Sequence, residues 1–242
     1  MTVQRGFTLI EMAIVLVIIT ILIGGLAMPL SAQIQARRIA ETKTTLEEAR
    51  VALLGYAMTH NAINVPTHHY LPCPDTNADG REDRDSDTVC KQYQGFLPWA
   101  DLGTAPQDAW GNRLRYAVVQ KFIDRSSGFS AGTPAPPGPP AYGFDPIKIC
   151  SMHTCPIPLV ADNVVFVLVS HGPNGWGAQN INGTTLAAPT GPDELENLDA
   201  NPIYISRSPT KADAVSGEFD DLTVWVSQSA LIASACPTGC AP

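Results

Sequence analysis

From Phe7 to Met28 the chain is apolar at every position except Thr8, Glu11 and Thr20. A helix of that length reaches roughly 33 Å, enough to cross the hydrocarbon core of a bilayer. One residue breaks the pattern. Glu11 lies inside the run, where a charged side chain costs a few kcal/mol, depending on its depth. An intramembrane carboxylate is a functional hypothesis by default and needs a partner. Cutting between Gly6 and Phe7 would supply one. Phe7 would gain a free amine one helical turn from Glu11, and a neighbouring subunit could offer an equivalent amine.

The start of the chain, with Arg5 in a short leader and then Gly6-Phe7-Thr8-Leu9-Ile10-Glu11-Met12, resembles the type IV prepilin family. The resemblance implies that a membrane prepilin peptidase cuts after Gly6 and that the new Phe7 amine is methylated. It implies that Glu11 serves as the docking charge when a subunit joins a filament. It also implies an inner-membrane assembly platform and other pilin or pseudopilin subunits as partners. An ordinary signal peptide shares the basic start and the apolar core, and a weak small-residue site falls near Leu30-Ser31-Ala32. It would not carry Glu11, and a plain signal anchor would explain neither Glu11 nor Gly6-Phe7.

The 242 residues suffice for the long helix and one globular domain of about 180 residues. The net charge of −8 argues against a general nucleic-acid binder, and no nucleic-acid partner is expected. Arg37-Arg38, just after the apolar run, suit lipid headgroups or a solvated helix face. The six cysteines are even in number, which in an exported chain reads as disulfides. Proximity suggests Cys73–Cys90, Cys150–Cys155 and Cys236–Cys240, although many other connectivities are open. No C-x₂-C spacing is present, and the histidines do not complete a usual zinc pattern.

Gly24-Gly25 and Pro29 are expected to interrupt or kink the apolar helix. Ile39, Leu46, Ala49, Leu53 and Tyr56 then recur at helical spacing, opposite Arg38, Glu41, Lys43, Glu47, Glu48 and Arg50. The chain therefore divides into a leader at residues 1–6, a transmembrane and assembly helix at 7–29, an amphipathic helix at 30–60 and a globular domain at 61–242. The expected fold class is α+β. The long helix packs on an antiparallel sheet of about four strands, in a loop-rich, disulfide-stapled, pilin-like domain.

Asp75-Thr76-Asn77-Ala78-Asp79-Gly80 fits the start of a calcium loop, D-x-[DN]-x-[DN]-G. Hard oxygens alternate while the glycine turns the chain, and Asp83 takes the ninth position. The twelfth is Ser86, so Asp85 or Asp87 would have to substitute. Without flanking helices the stretch looks like the bare loops of dockerin or thrombospondin repeats. Asp75, Asn77, Asp79, Asp83 and Asp85 are the first-choice calcium ligands, with an acidic, disulfide-closed surface loop as the alternative.

Pro106-Gln107-Asp108-Ala109-Trp110-Gly111-Asn112, followed by Arg113-Leu114-Arg115-Tyr116, resembles a P-x-D-x-W-G-N-P-Y-x-Y signature of type II secretion pseudopilins. Arg113-Leu114 stand where that family has Pro-Tyr. The alternation after Asn112 predicts a half-buried strand, and Trp110 a buried anchor. Residues 126–146, with the run Pro134 to Pro140, read as an exposed loop. Val164 to Val169 reads as a buried central strand. The following Ser170-His171-Gly172-Pro173-Asn174-Gly175-Trp176-Gly177 resembles a turn of major pseudopilins, with Asn174 in place of Asp. In that family a comparable loop closed by an Asp pair binds calcium, which makes Asp220 and Asp221 the second-choice ligands. Residues 222–226 are expected to form a strand, and 228–235 a short helix.

Ser170-His171 are adjacent, and G-x-S-x-G, P-loop and G-x-G-x-x-G motifs are absent, so no enzyme is expected. The combined resemblances imply a type II secretion pseudopilin in the bacterial inner membrane. Its single span would leave the globular domain in the periplasm or in an assembled filament. The alternative is a minor type IV pilin acting in adhesion or DNA uptake.

Overall fold

The computed structural model describes residues 7–134, 146–155 and 159–236, with the backbone alone for 23–29. The chain divides into two compact units, Met1–Ala40 and Glu41–Pro242. In chain order the elements are α1 (Leu9–Thr59), β1 (Arg84–Ser86), β2 (Val89–Cys90), β3 (Gln94–Phe96), α2 (Trp99–Leu102), β4 (Arg115–Val118), β5 (Ile147–Cys150), β6 (Leu159–Ser170), α3 (Pro192–Glu196), β7 (Ile203–Ile205), β8 (Leu222–Ser227) and α4 (Gln228–Ala235).

The backbone of α1 stays helical through Gly24, Gly25 and Pro29, so the expected interruption does not end the helix there. In the first unit Phe7 and the apolar side chains of α1 up to Leu22 stand uncovered: Phe7 is 81% and Leu9 89% exposed. In the second unit Leu46, Ala49, Leu53 and Ala57 are fully buried. Their three- and four-residue steps put them on one stripe, as the amphipathic pattern predicts. The stripe enters a core shared with Tyr116, Val118, Phe166, Leu168, Val226 and Leu231. Burying each such leucine contributes about 1.5–3 kcal/mol.

The sheet is larger than expected. It has six strands in the order β3-β4-β6-β5-β7, with β8 also paired to β6. Most pairs are antiparallel, but β5 and β7 run parallel. β6 is the spine. It pairs with β4 through Tyr116 and Leu168, and with β8 through Val167 and Trp225. Val164 to Val169 are all fully buried, which is why that segment reads as an unbroken apolar run rather than an alternation. β4 differs from its half-buried forecast. Ala117 is 1% and Arg113 8% exposed, so the second face of this segment is covered as well. α4 starts on Ser227, whose hydroxyl accepts from the Ala230 N–H.

Two disulfides, Cys73–Cys90 and Cys150–Cys155, close local loops. Cys236 is also disulfide-bonded, while Cys240 lies outside the described residues, as does most of the proline-rich run. Cys73 and Cys90 are buried and separated by 17 residues. Closing a loop of that length restricts the unfolded chain by about 3 kcal/mol. Replacing both cysteines with serine is expected to lower stability by about that amount, read as a lower urea midpoint with a slope that does not fall, since the freed unfolded chain exposes more surface.

Candidate functional site

The first N–H groups of a helix have no partner within it. At the start of α1 they are met by a reciprocal pair. The Thr8 Oγ1 accepts from the Glu11 N–H at 3.3 Å. The Glu11 Oε2 accepts from the Thr8 N–H at 3.1 Å and from the Thr8 hydroxyl at 3.0 Å. This is a capping box, and the T-x-x-E spacing that announces it was readable in the sequence. The box folds the Glu11 carboxylate back onto the Thr8 N–H, the amide that follows the Phe7 carbonyl. Gly6 lies outside the described residues.

The loop after Pro74 turns its carboxylates inward onto its own backbone. Asp75 is fully buried, and its oxygens accept from the N–H groups of Asn77, Ala78 and Gly80. Asn77 accepts from Asp79 N–H, and Asp79 from Arg81 N–H. Gly80 has φ of 87° and its Cα faces Trp99, where an added Cβ would meet ring atoms at 2.5 Å. Asp83 already holds a cation, with its Oδ1 2.6 Å from Lys91 Nζ and its Oδ2 accepting from Thr76. Burial pushes this carboxyl up, but the hydrogen bonds from Lys91 and Thr76 outweigh it and hold it at about 2. Asp85 lies in β1 and is exposed, as is Asp87.

Among the described residues one group of three carboxylates converges: Glu194, Asp220 and Asp221, with ligand oxygens within 4.8 Å of one another. Asp220 and Asp221 precede β8, and Glu194 arrives on α3. The turn after β6 builds the rest. Gly172 has φ of 57°, and an added Cβ would lie 2.2 Å from the Asp220 carbonyl oxygen, so only glycine allows this approach. Asn174 donates its backbone N–H to Asp220 and its Nδ2 to Glu194 Oε1. The residue that departs from the pseudopilin pattern therefore supplies an organising amide in place of a carboxylate. Asp221 is held by Asn197 at 2.7 Å and lies 3.3 Å from His171 Nδ1.

Two buried oxygens in the group, Glu194 Oε2 and Asp220 Oδ1, have no hydrogen-bond partner. Burial first, and then Glu194, Asp221 and Glu218, push Asp220 up to about 7. Burial also raises Glu194, which is 1% exposed. Buried like charges with free lone pairs suit a hard divalent cation. The sequence pointed to Asp220 and Asp221 through the resemblance. Glu194 was missed because no spacing rule links α3 to a pair more than twenty residues later.

Asp108 joins the two pseudopilin-like motifs. Its carboxylate accepts from the N–H groups of Trp110 and Asn112 and from the Ser170 hydroxyl at 2.7 Å. Burial raises its pKa. Trp110 itself is half-buried rather than the buried anchor expected.

Residues 1–27 match the prokaryotic N-terminal methylation motif. That segment is a type IV prepilin-like signal. It supports a type IV pilin-like subunit, and it implies a membrane-anchored N-terminus, a prepilin peptidase substrate and assembly with pilin subunits. The motif is a structural signal rather than an enzymatic one. No curated protein and no solved structure matches the chain. Among the described residues no helix is long and apolar enough to cross a membrane, and the described side chains of the apolar run stop at Leu22.

Proposed function

We propose that this chain is a structural subunit of a type IV pilin-like filament, a pseudopilin of the type II secretion kind. It is cut after Gly6 and methylated at Phe7. The observation that carries the reading is the methylation motif at residues 1–27, with Glu11 drawn back onto Thr8, the residue after the one that becomes the new terminus. Residues 7–29 anchor the subunit in the inner membrane until it assembles. The exposed apolar side chains of Phe7 to Leu22 favour lipid or other helices over water. On assembly the Phe7 amine and a Glu11 carboxylate neutralise each other, and the domain beyond residue 60 faces the periplasm. The pseudopilin branch is supported by the hydrogen bond between Asp108 and Ser170, which ties together the two motifs that resemble it.

Calcium fits the cluster of Glu194, Asp220 and Asp221 on its chemistry: three hard carboxylates, two of them with an unpartnered buried oxygen. The bound ion would offset their repulsion and fix the turn after β6 against α3 and β8.

Mass spectrometry of the protein from its native host is expected to show a chain beginning at N-methylated Phe7. A chain that keeps residues 1–6, or one that starts near Gln33, overturns the proposal. Loss of the gene is expected to strand secreted enzymes in the periplasm. Loss of surface pili with secretion intact assigns a minor pilin instead.

A further inference from the structure

In the second unit, Arg113 and Arg115 fall on the same face of the chain by alternation, while Leu114 and Tyr116 fill the core. Both arginines are largely enclosed, yet neither makes an ion pair among the described residues. Nε of Arg115, and Nε and Nη1 of Arg113, are buried with no hydrogen-bond partner. Arg113 lies over the Phe96 ring at 5.9 Å and offers only Nη2, to the Ile181 carbonyl at 3.4 Å. A guanidinium does not lose its proton in a protein, so a buried one needs a counter-charge. Asp199 and Asp221 are near enough to act on Arg115, but neither is in contact with it.

A half-open cavity of about 310 Å³ lies against this face, lined by Gln94, Phe96, Arg115, Gln179, Thr185 and Leu198. Gln94 is 9% exposed, and its buried Nε2 is a further unpartnered donor. Gln179 Oε1 is an unpartnered acceptor. Asp75 also lines the cavity, but its carboxylate turns onto the backbone N–H groups of its own loop and makes no ion pair with Arg115.

We infer that this cavity is a binding site for an organic carboxylate that also carries an N–H donor, the pattern of an acidic residue within a peptide. A guanidinium fork matches a carboxylate's two oxygens. Gln94 adds a donor, and Gln179 accepts the ligand's N–H. The volume falls at the lower end of the roughly 300–1,000 Å³ usual for organic ligands and is generous for a lone ion. Phe96 and Leu198 supply apolar wall. The inference concerns the globular unit alone and does not depend on how the N-terminus is processed.

The test uses the full chain in detergent micelles, ¹⁵N-labelled at arginine. The probes are N-acetyl-aspartate N-methylamide for a peptide source and succinate for a small free acid. N-acetyl-asparagine N-methylamide is the neutral control. Saturable displacement of the Arg115 Nε–H resonance by the aspartate probe, with none from the control, is expected. Arg115→Gln is expected to weaken binding at least about tenfold, as loss of a charge-assisted hydrogen bond does. Gln94→Leu, which leaves the charge in place, is expected to weaken it about fivefold and stands in if Arg115→Gln does not fold. Tighter binding of succinate than of the aspartate probe assigns a small-molecule source, retains the carboxylate site and overturns the N–H donor assigned to Gln179. No displacement by either acid up to about 20 mM leaves water as the only occupant and overturns the inference. Binding unaffected by both substitutions also overturns it.

Discussion

Replacing Glu11 with alanine is expected to abolish filament assembly while cleavage after Gly6 continues. The physical reason is the Phe7 amine. Once cut, it is a positive charge at the edge of hydrocarbon, and an unpaired charge at depth costs about 2.5–3.5 kcal/mol. Without the carboxylate the assembled state keeps that cost, so assembly falls by about two orders of magnitude. The capping box sharpens the experiment. Glu11 also meets the Thr8 N–H and hydroxyl, so alanine removes a helix cap together with a charge. Glutamine can fill the same place in a capping box but carries no charge. Glu11→Gln is therefore expected to fail in assembly nearly as fully as alanine. Thr8→Val, which loses the hydroxyl alone, is expected to cost only about 1 kcal/mol of helix stability and to assemble. The measurement is filament yield against the fraction of cleaved protein. Normal filaments from Glu11→Gln would show that the residue acts as a cap, not as a charge.

The second large effect is on stability. Calcium at about one hundred times its dissociation constant should stabilise the folded chain by about 2.7 kcal/mol. In a domain of this size that raises the melting temperature by roughly 5–10 °C. The effect should grow with pH. Asp220, raised to about 7 by burial and its acidic neighbours, stays protonated in the cation-free folded state between about pH 4 and 7, where the unfolded chain has ionised. That contribution to stability is full below about pH 4, falls across the window and is gone by about pH 7, and a bound cation restores it. Calcium is therefore expected to shift the melting temperature more at pH 8 than at pH 5. Glu194→Gln keeps the oxygen that accepts from Asn174 but removes the charge, and it should erase most of the shift. Asp79→Asn in the first loop should leave the shift intact. If Asp79→Asn alone erases it, the ion sits in the 75–87 loop. No shift at about 10 mM calcium removes both sites.

Much of this protein was legible along the chain because the signals are local. The apolar run with Glu11, the stripe of Leu46, Ala49 and Leu53, the unbroken 164–169 strand and the helix at 228–235 each follow from short-range periodicity or composition. So do the closely spaced pairs Cys73–Cys90 and Cys150–Cys155. The D-x-[DN]-x-[DN]-G pattern was equally local, yet a pattern of oxygens does not say which way they point. Asp75 turned onto backbone N–H groups, and Asp83 onto Lys91. The added strands were hidden for a related reason. β3 and β7 are only three residues each and exist as strands through their neighbours, β7 by a parallel pairing with β5.

By itself the sequence determined the methylation motif of residues 1–27, the presence of a long helix behind it and which face of that helix's second half is apolar, because those properties are set within a few residues. The tertiary structure alone decided that Glu194 completes the group begun by Asp220 and Asp221, and that Arg113 and Arg115 share an enclosed face without a counter-charge. Both outcomes depend on segments far apart in sequence meeting across β6, and hydrogen-bond register, not local composition, sets which side chains meet there.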